Sequence, residues 1–183
     1  MRRLVTERKS VARRCRGWDA SGVDDAAYRI SRVAGSAGLA ATTKRLLDLL
    51  PSWFGIPEAN AGYVGSATRL PGLVAHSGTE PIGVLLYRRH FPEAAEIHLM
   101  AVAPSWHRRG VGRALPATVV ADLSSDGCRV LQVKTLGATH PDQGYARTRA
   151  FYQAVGFLPL EETNDLWAGH PCLIMVRWLP GSP

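Results

Sequence analysis

The run Ala101-Val102-Ala103-Pro104-Ser105-Trp106-His107-Arg108-Arg109-Gly110-Val111-Gly112-Arg113-Ala114-Leu115 holds the most chemically informative spacing in this 183-residue chain. A strand pattern ends at Pro104, a cationic loop follows, and a helical pattern opens at Gly110. The first N–H groups of a helix have no acceptor within the helix and carry the positive end of its dipole, so they attract anions. Glycines at 110 and 112 let a ligand approach the main chain with no Cβ in between. Arg108, Arg109 and Arg113 add mobile positive charge. The natural guest is a phosphate or pyrophosphate. A mononucleotide P-loop needs Lys-Ser/Thr after its last glycine, whereas Arg113-Ala114 stands here. A dinucleotide fingerprint needs three glycines, and this run has two.

A second pattern lies downstream, Ala150-Phe151-Tyr152-Gln153-Ala154-Val155-Gly156-Phe157. Together the two runs resemble the GNAT superfamily of N-acetyltransferases. His107-Arg108-Arg109-Gly110-Val111-Gly112 is similar to that family's pyrophosphate loop, Gln/Arg-x-x-Gly-x-Gly/Ala, with His107 in place of the usual Gln or Arg. Residues 150–157 are similar to its FYxxxGF signature. The resemblance covers about residues 40–178 and leaves out the N-terminal arm.

The resemblance implies acetyl-CoA as co-substrate and no metal. It implies a V-shaped split between strands 95–102 and 130–136, with pantetheine along the backbone of Met100, Ala101 and Val102. Pyrophosphate would sit on the N–H groups of His107, Arg108, Arg109, Gly110, Val111, Gly112 and Arg113. Tyr152 would donate a proton or hydrogen bond to the departing thiolate; an ordinary phenol is protonated at pH 7. As an interior aromatic on a helix, Tyr152 would only pack. The acceptor amine must lose a proton. Strand alternation sets Glu96, His98, Met100 and Val102 on one face and Ile97, Leu99 and Ala101 on the other. The family commonly uses a Glu on this strand as base, so Glu96 is the first candidate and His98 the rival. Both can equally line a polar mouth. The Val102 N–H would meet the developing oxyanion. Direct attack in a ternary complex needs no nucleophilic Ser or Cys. A non-catalytic acyl-CoA-binding module keeps the same loop without a working base.

The elements that must hold these groups follow from periodicity and breakers. Residues 41–50 read as an amphipathic helix ended by Pro51. Short β-rich runs follow at 73–76, 82–87 and 95–102, with a turn at Gly78-Thr79-Glu80-Pro81. A helix is expected from 110 to about 125, with Pro116 requiring a kink or a place near its start. A buried strand at 130–136, a helix at 146–155 capped by Gly156, and strands at 157–160 and 172–178 complete the order. Part of 24–33 is weakly helical in pattern. The expected fold is α/β: one mixed, mostly antiparallel sheet with helices on both faces and a parallel strand–helix–strand unit at its centre. The acceptor pocket would draw on Trp53, Phe54, Tyr63, residues 139–145 with His140 and Asp142, and Trp167 and His170.

Charge is unevenly placed. The formal net charge is +7, and residues 1–16 alone carry +6. The remaining 167 residues are nearly neutral, which argues against a nucleic-acid-binding body. The arm alone keeps a nucleic-acid-associated role in play through salt-sensitive attraction to phosphates. The division expected is 1–38 as a basic, disordered extension and 39–180 as the N-acetyltransferase domain. Three widely spaced cysteines, Cys15, Cys128 and Cys172, suggest neither a disulfide framework nor a zinc knuckle and fit a reducing cytoplasm. No membrane span is read from the sequence. The partner expected is a small-molecule or protein amine, and a homodimer fits as well.

Overall fold

The computed structural model describes residues 28–167 and 169–181. Seven strands form one sheet: β1 Arg29–Val33, β2 Gly72–Ser77, β3 Glu80–Phe91, β4 Ala94–Val102, β5 Val130–Leu136, β6 Leu158–Thr163 and β7 Cys172–Trp178. Their spatial order is β1-β2-β3-β4-β5-β7-β6. Every neighbouring pair is antiparallel except β4–β5. The mixed α/β sheet with a central parallel unit is therefore as the sequence predicts. Among the described residues no helix is long and apolar enough to cross a membrane.

Helices cover both faces. α1 Ala37–Asp48 and α2 Pro57–Ala67 pack on one side, where Leu39, Leu46 and Leu47 meet Val84, Leu86 and Leu99. α3 Val111–Ser125 and α4 Gln143–Ala154 lie on the other, where Leu115, Val119 and Tyr152 meet Leu85, Val133 and Met175. Burying each such aliphatic side chain contributes about 1.5–3 kcal/mol relative to leaving it in water. Gly83 on β3 lets α3 press close, because a Cβ there would stand 3.0 Å from Val111 Cγ1.

Three elements differ from the sequence reading. Residues 29–33, assigned to the extension and weakly helical in pattern, form the edge strand β1. Ile30 packs towards α3, and Arg32 holds Asp122 of α3 at 2.8 and 2.6 Å, so tertiary partners fix a segment with little periodicity of its own. The domain thus begins before residue 39; the rest of the expected extension, 1–27, lies outside the described residues. α1 starts at Ala37 because Ser36 caps it, accepting from the Leu39 N–H at 3.2 Å. α2 was not expected, since its sequence PEANAGYVGSA has few apolar residues; Pro57 at its first turn and a bond from Asn60 Nδ2 to the Phe54 oxygen (2.8 Å) set its start. α3 runs unbroken through Pro116, in its second turn.

Candidate active site

β4 and β5 pair only from Ala94↔Val130 to Ile97↔Val133 and then part. The split opens a cleft of about 920 Å³ whose walls include Met100, Val102, Gly110, Thr135 and Tyr152. Strand register decides which main-chain groups face it. Ala103 donates to the Ile82 oxygen at 2.8 Å, and Ala103 precedes the pairs Gly83↔Val102, Val84↔Ala101 and Leu85↔Met100 going back along β4. Hydrogen-bonded and open pairs alternate in an antiparallel ladder. Ala101 therefore turns its N–H and C=O to β3, while Met100 and Val102 turn theirs to the split. Of the three residues expected to line pantetheine, Ala101 turns no main-chain polar group to the split.

Side-chain alternation along β4 also differs from expectation. The ladder to β3 slips between Leu86↔Leu99 and Tyr87↔Ile97, leaving His98 as an extra residue. Such a bulge interrupts the period of two. Ile97 accordingly joins Met100 and Val102 on the α3 side, while Leu99 and Ala101 lie on the α1–α2 side. Glu96 and His98 remain neighbours of Tyr63 on that second side, away from Met100 and Val102.

The loop after β4 presents a row of open main-chain N–H groups. A 3-10 turn over Pro104–Trp106 leads to Arg108 (φ 60°) and Gly110 (φ 87°), two left-handed residues that turn the chain into α3. The N–H of His107 donates to the Pro104 oxygen and that of Arg113 to the Gly110 oxygen. Among the described residues no protein acceptor meets the N–H groups of Arg108, Arg109, Gly110, Val111 and Gly112. The free amides are thus 108–112, a narrower run than 107–113. His107 instead uses its side chain, with Nε2 2.8 Å from the Val102 oxygen. Arg109 lies over the Trp106 ring at 3.9 Å.

Tyr152 of α4 is buried between Phe151 and Phe157 and reaches the cleft wall. Burial raises its pKa, so the phenol keeps its proton through neutral and mildly alkaline pH. Glu96 is also buried, at 6% exposure. Burial alone would raise its pKa, but hydrogen bonds from His90 (2.7 Å) and Lys134 (3.0 Å), with their charge, outweigh that and hold it ionised. His98 is shifted down, first by burial and then by the Arg88 charge, against an upward pull from Glu96. It is neutral at pH 7, and its Nε2 is buried with no hydrogen-bond partner. Arg88 and His90 on β3 and Lys134 on β5 escaped sequence reasoning because only the pairing of both strands with β4 brings them to Glu96.

Of the expected acceptor residues, Trp53, Phe54, Tyr63, Tyr145 and Trp167 line the cleft. His140 and His170 pack on each other instead, with centroids 5.8 Å apart. Asp142 caps α4, accepting from Gly144 and Tyr145. Cys128 and Cys172 are buried, free thiols. No group of metal-ligating side chains occurs among the described residues.

Residues 71–159 match the acetyltransferase (GNAT) domain family. No curated protein sequence matches the chain. Among solved structures, a GNAT-family acetyltransferase from Desulfovibrio desulfuricans is similar at TM-score 0.71 and 24% identity, covering 84% of this chain and 99% of its own. A GNAT-family acetyltransferase from Elizabethkingia anophelis with acetyl-CoA bound gives 0.62 and 19%, covering 83% and 98%. The aminoglycoside 6'-N-acetyltransferase of Enterococcus faecium gives 0.65 and 18%, covering 85% and 99%. At these identities the structural likeness concerns the fold. Residues 71–159 are thus a GNAT-type acetyltransferase domain by their family match, and the split sheet and glycine loop agree with that match.

Proposed function

We propose that this protein moves the acetyl group of acetyl-CoA to the primary amine of an acceptor by direct attack within a ternary complex. The residues fit that co-substrate: five unpartnered amides at 108–112 for a pyrophosphate, the split-facing main-chain groups of Met100 and the N–H of Val102 for pantetheine, and an unpartnered buried Thr135 Oγ1 in the cleft wall. Acetyl-CoA supplies an acetyl group activated as a thioester. The Val102 N–H, preorganised on a strand, meets the carbonyl oxygen as it gains charge. Tyr152 gives its proton or a hydrogen bond to the leaving sulfur.

The amine's proton goes to the Glu96–His98 pair. Glu96 is a weak base because Lys134 and the His90 ring already hold its carboxylate. His98 is neutral and able to accept, and Glu96 steadies the imidazolium that results. We therefore assign proton acceptance to His98 and charge support to Glu96. The observation that carries the whole reading is the free amide run at the mouth of the β4–β5 split. Release of free thiol from acetyl-CoA on adding an amine panel tests it. Turnover on at least one amine is expected; tight binding with no turnover on any would make the chain a carrier of the thioester instead.

A further inference from the structure

Beside the main cleft lies a second, smaller chamber of about 250 Å³. It shares Tyr63, Ile97, His98, Lys134 and Trp167 with the cleft. Its volume is below the roughly 300–1,000 Å³ usual for sites that take drug-sized ligands. It therefore suits one end of a small acceptor. Its charges are unbalanced. Glu96 is its one carboxylate, and Lys134 and His90 already meet that group. Arg88, half-buried in the same wall, has no hydrogen-bond or ion-pair partner among the described residues. Its guanidinium is permanently charged, and it stands near enough to His98 to disfavour a second positive charge there.

Carboxylates elsewhere round the mouth do not redress this. Asp142 caps α4. Glu162 accepts from the Ala138 N–H and the Thr139 hydroxyl. The wider cleft adds Arg108, Arg113 and Arg147 and no acid. Apart from Glu96, an acceptor bearing several ammonium groups would thus meet no carboxylate in the chamber or the cleft to balance its charge, although the fold is shared with an aminoglycoside acetyltransferase.

Resting on the acetyltransferase reading, we propose that the acceptor is a small amino carboxylate, a free amino acid or close analogue, with its carboxylate on Arg88. A guanidinium holds a carboxylate through two parallel N–H···O bonds, which fixes orientation as well as position. Arg88 and Glu96 are paired across β3 and β4, so a carboxylate on Arg88 leaves the amine a few bonds away beside Glu96 and His98. Tyr63 and Trp167 flank the remaining space with aromatic walls that suit an apolar side chain. Arg88 is then a specificity-determining residue.

The test is thiol release from acetyl-CoA with phenylalanine and leucine, their primary amides, and the polycation kanamycin. The amides deprotonate more readily, so a preference for the acids runs against intrinsic reactivity. Expected is a kcat/KM at least ~10-fold higher for an amino acid than for its amide, and higher still over kanamycin. Arg88→Gln should erase the acid-over-amide ratio, and Arg88→Lys should restore part of it. Equal or better use of amides or kanamycin by the wild type overturns the proposal, as does an Arg88→Gln enzyme that keeps the ratio. If Arg88→Gln does not fold, the wild-type ratio decides alone. If no amine is turned over, the acetyltransferase reading falls. The chamber is then judged by calorimetry of the CoA-saturated wild type: binding of phenylalanine but not its amide supports the carboxylate site, and no binding of either overturns it.

Discussion

Nε2 of His107 lies 2.8 Å from the main-chain oxygen of Val102, so the first residue of the anion loop is tied to the last residue of β4. That bond links the strand that would line pantetheine to the amides that would hold the diphosphate. It also occupies a carbonyl that would otherwise face the split alone. The side chain at this position thus sets the loop's distance from the strand, a role separate from contacting phosphate.

Replacing His107 by Ala removes one hydrogen bond worth about 0.5–1.5 kcal/mol net. If loop placement serves binding, the Kd for acetyl-CoA should rise roughly 2–10-fold by calorimetry. An unchanged Kd would show that the tie has no part in holding the ligand.

The two loop glycines should respond with opposite signs. Gly110 has φ 87°, and a Cβ there would stand 3.3 Å from the Tyr28 hydroxyl. Gly110→Ala should cost about 1–2 kcal/mol of stability and weaken CoA binding. Gly112 lies within α3, where an added Cβ meets Phe151 at an ordinary 3.7 Å. Gly112→Ala should stabilise the fold by about 0.5–1 kcal/mol and keep binding. Chemical denaturation and calorimetry on both variants read this; similar losses at both would refute the conformational argument.

Both motifs were legible in the sequence because each is local. Glycines beside cations before a helix, and an aromatic pair before Gly156, carry their meaning in spacing alone. Side-chain facing on β4 was not legible. The bulge at His98 arises from the ladder with β3, and a period-of-two reading of residues 95–102 has no way to detect an inserted residue. β1 was missed for a related reason: it is held by β2 and by Asp122, both distant in the chain. The cluster around Glu96 gathers residues from β3, β4 and β5, so its charge balance exists only in the folded protein.

His98 should carry the acid limb of the kcat–pH profile. Its pKa is shifted below the ordinary ~6.5, so it stays a competent base at neutral pH and loses that role only as pH falls through its lowered value. His98→Ala should reduce kcat at least roughly tenfold at pH 7 and remove that limb. A variant that keeps both rate and limb, while Glu96→Gln loses them, would transfer the role to Glu96.

Glu96 should also leave a mark on stability. Its folded pKa is depressed below the unfolded value, so its contribution is complete above the ordinary carboxylate range and fades as pH falls through the folded pKa. Glu96→Gln removes the carboxylate that Lys134 and His90 meet and should cost about 1–3 kcal/mol at pH 7. That deficit should shrink steadily in melts taken below about pH 4. A pH-independent deficit would assign the loss to packing.

Tyr152→Phe keeps the ring and removes the proton. Because burial keeps the phenol protonated, wild-type kcat should show no alkaline loss traceable to it near neutral pH. The variant should lose about 100-fold in kcat with the KM for acetyl-CoA little changed. A loss below about threefold would leave Tyr152 as a packing residue.

In the proposed reaction the five open amides from Arg108 to Gly112 grip a diphosphate. Calorimetric titration with CoA, with 4'-phosphopantetheine and with pantetheine, which differ in the phosphate groups and the nucleoside they carry, measures that. Saturable CoA binding is expected, with pantetheine binding at least tenfold weaker, a gap of about 1.4 kcal/mol or more. Equal affinity for the two, or no CoA binding at millimolar concentration, would contradict it.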